Sequence, residues 1–82
     1  MIIIAIVPSN VAAESHRDRE EQVDVDINDT METVKVKITL IYTELDPDKI
    51  ILECGGIRCR EGETVLDVKK RVPADPLRFM IR

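Results

Sequence analysis

Eighty-two residues suit one small core, and a net charge of −4 with a pI near 4.9 offers no basic field to draw in nucleic-acid phosphates. Apolar content is an ordinary 44%, yet Phe79 and Tyr42 are the only aromatics, so the interior must be aliphatic. No apolar run approaches the roughly 18 residues that cross a bilayer, which leaves a soluble, acidic domain with neither nucleic acid nor membrane as partner.

The chain opens with M-I-I-I-A-I-V at residues 1–7, closed by Pro8. A secretory signal would carry Lys or Arg ahead of a longer apolar run, so this segment reads as a buried first strand. Residues 8–21, P-S-N-V-A-A-E-S-H-R-D-R-E-E, are charged in the middle and have little to bury, which predicts a long charged surface loop. A second strand follows at residues 22–27. There alternation sends Val23, Val25 and Ile27 to the core and Asp24 and Asp26 to water.

In D-T-M-E-T-V-K-V-K-I, residues 29–38, two periodicities compete for one backbone. Read in steps of two, Val34, Val36, Ile38 and Leu40 alternate with Lys35, Lys37 and Thr39, as in a half-buried strand. Read in helical steps, Met31, Val34, Ile38 and Ile41 share a stripe entered through Asp29 and Thr30, either of which can cap a first turn. Propensity leans to the strand, because Val, Ile and Thr lose side-chain freedom in a helix. The pattern of these residues alone leaves both readings open.

After L-D-P-D at residues 45–48, the stretch K-I-I-L-E predicts a third strand over residues 49–54, with Ile50 and Leu52 inward and Ile51 and Glu53 outward. Gly55 and Gly56 form the turn into a short fourth strand at residues 57–59. G-E-T-V-L at residues 62–66 follows, and P-L-R-F-M-I-R predicts a last strand over residues 77–81 with Leu77, Phe79 and Ile81 inward.

Taken in order, V-D-V-D-I, D-T-M-E-T-V-K-V-K-I, D-P-D, I-I-L-E, the G-G turn, G-E-T-V-L and P-L-R-F-M-I-R resemble ubiquitin and the ubiquitin-like domains. The likeness covers most of the chain, with single-residue insertions near Tyr42 and Arg71; the long loop at about residues 8–21 departs from it. No one motif is specific, but their order and spacing together are. The resemblance implies an α+β fold, a ubiquitin-like β-grasp in which a five-stranded mixed sheet packs on one long helix, and it turns residues 30–43 to helix. It implies one domain over residues 1–82. If the alternation instead meant strand, the chain would be a mostly β assembly module unrelated to ubiquitin.

Candidate sites for chemistry are weak. Cys54 and Cys59 are spaced C-x4-C with no second pair, and only His16 could be a third ligand where structural zinc takes four. The hairpin sets Cys59 opposite Leu52, leaving Cys54 diagonal to it, so a disulfide is disfavoured and two reduced thiols are expected. Alternation and capping account for Asp24, Asp26 and Asp29 without a metal. A turn accounts for Gly55 and Gly56 without a phosphate loop. No cofactor, no metal and no catalysis are expected.

Function must then lie on the surface. Domains of the resembled family act through an apolar patch on the exposed sheet face. Carried over, Met80 keeps an apolar residue there, whereas Glu53 stands where ubiquitin has its central isoleucine, and a carboxylate at such a centre must be paired or stripped of water. The partner-binding set is Ile51, Glu53, Ile57, Arg78 and Met80, with Glu53 and Arg78 expected to pair across strands inside a ring of Ile51, Ile57 and Met80. The resemblance implies a monomeric, intracellular adaptor, cytoplasmic or nuclear, embedded in a larger protein and met by a proteasome subunit or a ubiquitin receptor. A conjugated modifier ending before its Gly-Gly tail is the alternative. Lys35 and Lys37 read as ordinary helix-surface residues.

Overall fold

The computed structural model describes residues 1–8 and 19–82. It is α+β: β1 (Ile2–Val7), β2 (Arg19–Asp24), α1 (Met31–Ile41), β3 (Leu52–Cys54), β4 (Ile57–Arg58), α2 (Val65–Arg71) and β5 (Arg78–Ile81). The strands form one five-stranded mixed sheet in the order β2-β1-β5-β3-β4, parallel between β1 and β5 and antiparallel elsewhere. The first strand thus lies inside the sheet, where both its edges are bonded.

The contested segment is helical, and burial shows why. Of the four residues that alternate in steps of two, Val34 and Ile38 have no exposed surface, while Val36 is 45% and Leu40 73% exposed. A strand would have kept all four on one side. The buried stripe is Met31, Val34, Lys35, Ile38 and the C-cap Tyr42. Ile41, which the helical step also placed on it, is 44% exposed, because Tyr42 takes the next inward position. Six β-branched residues in α1 oppose the helix by about 0.5 kcal/mol each. Burying Met31, Val34, Ile38 and Tyr42 returns about 2 kcal/mol per side chain, so tertiary packing wins. The mostly β alternative falls with this segment.

Among the described residues there are two helices, not one long one: α1 has 11 residues and α2 has 7. Thr64 and Asp67 start α2 with a reciprocal capping box, the Thr64 hydroxyl accepting from the Asp67 N–H at 3.2 Å and the Asp67 carboxylate from the Thr64 N–H at 3.0 Å. Lys69, Lys70 and Arg71 occupy its last turn, where the helix dipole favours cations. The two helix starts are tied together, since the Met31 N–H donates to the Glu63 carbonyl at 2.8 Å and the Val65 N–H to that of Asp29 at 2.9 Å.

Strand limits also differ from the alternation. β2 begins at Arg19, inside the segment predicted as loop, and stops at Asp24. Beyond it the Asp26 carboxylate accepts the Asn28 N–H at 2.9 Å and the Asp29 carboxylate accepts the Asp26 N–H at 2.9 Å, which turns the chain. Ile27 falls in this turn and is 37% exposed, so it leaves the core face predicted for it. The rest of the predicted loop, residues 9–18 with His16, lies outside the described residues.

One cluster forms the core. It unites Ile3, Val23, Leu52, Phe79 and Ile81 from the sheet with Met31, Ile38, Val65 and Val68 from both helices. Ile50, Leu52, Leu77, Phe79 and Ile81 are buried as predicted. Arg19, on the core side of edge strand β2, lays its guanidinium 4.4 Å from the Tyr42 ring centroid and bonds Glu44 at 2.8 Å. Gly55 and Gly56 close the β3–β4 hairpin at φ 62° and 78°, a left-handed pair that suits a two-residue turn.

Candidate functional site: the open face of the sheet

Both helices pack on one side of the sheet, and among the described residues no element packs on the other. The register fixes what that open face presents. Glu20 faces Ile6, Ile6 faces Met80, Met80 faces Glu53 and Glu53 faces Arg58, so one row crosses all five strands. Beside it runs a second row of Gln22, Ile4 and Arg78, and Ile2 lies next to Asp24. The centre of the face is therefore apolar, built from Ile2, Ile4, Ile6 and Met80, and its margins are charged.

Four of the five predicted site residues stand on this face. Met80 and Glu53 are direct partners, Arg78 flanks them, and Ile51 exchanges both backbone hydrogen bonds with Arg82 at 2.8 and 3.0 Å, which sets it two residues from Glu53 on the same side. Ile57 does not belong with them. It pairs with Cys54, whose side chain points into the core, so Ile57 sits on the helix side of the sheet margin, 48% exposed, and the predicted ring does not close. Arg58 occupies the place expected of it.

The predicted Glu53–Arg78 pair is not formed. With Met80 directly opposite Glu53, Arg78 and Arg82 are both diagonal neighbours of the carboxylate, two residues to either side. Arg82 takes it, Nε to Oε2 at 3.1 Å. Arg78 instead crosses β1 to the Glu20 carboxylate at 2.6 Å, passing between Ile4 and Ile6. Both pairs are solvated, so each is worth only about 0 to 1 kcal/mol. Their effect is to screen the isoleucines with charge.

Sequence reasoning missed Ile2, Ile4, Ile6, Glu20, Arg58 and Arg82. A signal for the isoleucines existed: a run apolar at every position predicts burial on both faces of a strand, and only one is buried here. Arg58 and Arg82 carry no such mark, because their place depends on register.

Cys54 and Cys59 are buried and unbridged, and the Cys59 N–H donates to the Leu52 carbonyl at 2.8 Å, which is the predicted facing arrangement. Burial pushes both thiols up, Cys59 to about 11, so neither supplies a thiolate near neutral pH. Hydrogen bonds from Lys37 and from the Asp26 N–H hold the Asp29 carboxyl below the usual range. Among the described residues no three His, Cys, Asp or Glu stand together as a metal site, and no helix is long and apolar enough to cross a membrane. Lys35 departs from its reading as a helix-surface residue: it is 8% exposed, covered by the segment after β4.

No protein-family model matches the chain, and no curated protein sequence matches it.

Proposed function

We propose that the chain is a ubiquitin-like β-grasp domain acting as a non-catalytic protein-interaction module of a larger intracellular protein. It recruits its host to the ubiquitin–proteasome system or to ubiquitin receptors. The strand order, the parallel β1–β5 pair and a helix between the second and third strands all agree with that resemblance.

The observation that carries the reading is the uncovered row of Ile6 and Met80 between Glu20 and Glu53, with Ile2 and Ile4 beside it. An apolar centre with a charged margin is the composition of a protein–protein contact. Glu53 and Arg82 then act on partner choice. A partner shaped for a wholly apolar patch meets a carboxylate that it cannot hydrate, while one that offers a cation near Glu53 is favoured.

Titration of proteasomal and ubiquitin receptors into labelled protein tests this. Met80→Ala should weaken the contact about tenfold, in line with the loss of one apolar anchor, and Glu53→Ile should strengthen binding to receptors that prefer an apolar centre. Receptor binding that neither substitution changes, or no receptor binding by wild type and Glu53→Ile alike, would refute the reading.

A further inference from the structure

Where β4 ends, three cations converge on one recess. Lys35 leaves α1 beneath the segment that follows β4 and lines a cavity of about 430 Å³ together with Ile51, Arg58, Cys59, Arg60 and Glu61. Its side chain keeps only 10% of its surface exposed, and its ammonium lies 3.5 Å from Glu61 Oε1 without a hydrogen bond to any described residue. Glu61 itself is mostly in water, its side chain 73% exposed. Arg58 and Arg60 have no ion-pair partner among the described residues.

Such a pair is poorly explained as a stabilising one. Burying an ammonium is costly, and one loosely held, solvated carboxylate repays little of that cost. A largely buried lysine held only by one long ion pair, beside two guanidinium groups without an ion-pair partner among the described residues of an acidic chain, is arranged for a guest.

We propose that this recess is a phosphate-binding site, with Lys35 donating from its floor and Arg58 and Arg60 gripping a phosphomonoester from its rim. Charge selects phosphate over carboxylate. Glu53 opposite Arg58 is neutralised by Arg82, and Glu63, which accepts the Arg60 N–H, by Arg71; three cations against the remaining carboxylate of Glu61 leave about two positive charges, which a phosphomonoester of about −1.5 to −2 balances and a carboxylate does not. The flat guanidinium forks of Arg58 and Arg60 suit two phosphate oxygens at once. Cys59 in the wall stays a neutral thiol and does not repel the anion. Glu61 is the internal competitor, holding Lys35 until phosphate displaces it. The site shares Arg58 and Ile51 with the margin of the open face, but it uses none of the isoleucines of β1 and does not depend on that reading.

The test is a titration of inorganic phosphate into isotope-labelled protein, with sodium chloride at matched ionic strength as control. Saturable shifts at residues 58–61, absent with chloride, are expected. Arg58→Ala/Arg60→Ala should weaken binding at least about tenfold, and Glu61→Gln should strengthen it several-fold. Both changes are at exposed positions, so they remain decisive if Lys35→Met fails to fold. Equal shifts with chloride, or affinity untouched by Arg58→Ala/Arg60→Ala, would overturn the site. Glycerol phosphate and a phosphoserine peptide, the latter beside its serine twin, identify the source. Tighter binding of the phosphopeptide assigns a phosphorylated protein partner, and equal affinity assigns a free phosphomonoester.

Discussion

Along β1, Ile3, Ala5 and Val7 have no exposed surface, while Ile2 on the same strand keeps 43% of its own and shares its face with Ile4 and Ile6. The same contrast runs through β5, where Phe79 and Ile81 are fully buried and Met80 between them is not. Side-chain type does not distinguish these sets. What separates them is that α1 and α2 both cover one side of the sheet, so only there is apolar area removed from water on all sides. The inner set holds the molecule together, and the outer set is free to meet something else.

Substitutions on the two sides should therefore differ sharply in what they change. Phe79→Ala removes a fully buried ring from the core and should cost about 3 to 5 kcal/mol, read as a fall in the denaturant midpoint or outright failure to fold. A small loss would mean that the core is loosely packed and the contrast is weaker than burial implies.

The charged groups offer a second form of the comparison. The Asp29–Lys37 pair is sheltered at the start of α1, whereas Arg78–Glu20 lies open across β1. Asp29→Asn should cost about 1 kcal/mol at neutral pH, because charge-assisted bonds to Lys37 and to the Asp26 N–H are lost or weakened. The folded-state pKa of Asp29 lies below its ordinary 3.8, so its contribution is present above that pH and is lost as pH falls through the lower folded value. Stability curves of wild type and variant should converge on acidification; a gap unchanged at low pH would assign it to packing.

The smallest effect is expected on the open face. Ile6→Thr should alter stability by less than about 1 kcal/mol, since the residue is only partly covered and Thr also suits a strand. Its midpoint should lie close to that of wild type while receptor binding weakens. A large drop in midpoint would show that Ile6 belongs to the core.

Much of the fold was legible in the residues. Alternation placed Val23, Val25, Leu52, Leu77, Phe79 and Ile81 in the core, and Gly55–Gly56 marked a tight hairpin. The second helix was legible but unread: T-V-L-D at residues 64–67 is a capping signature with basic residues one turn later. Ile27 was misplaced because an aspartate turn, not alternation, governs the chain after Asp24. Of the candidate site, Met80, Glu53, Ile51 and Arg78 could be placed by counting along strands, since face follows from period. Their pairings could not, because a pairing joins residues far apart in the chain and is set by register.

The order of charged, apolar and turn residues thus determined that this chain makes a sheet-bearing domain with an aliphatic core. It determined which side of β3 and β5 is wet, whereas β1, apolar at every position, carried no such mark. Three matters were left to the tertiary structure: that residues 31–41 coil, that Glu53 meets Arg82 while Arg78 reaches Glu20, and that Lys35 is enclosed. For residues 31–41 the local preference is worth a few tenths of a kcal/mol per residue, while burial against a distant segment is worth about 2 kcal/mol per side chain, and the distant term prevails; the ion pairs and the enclosure of Lys35 follow from strand register and from the segment after β4, which no local preference encodes.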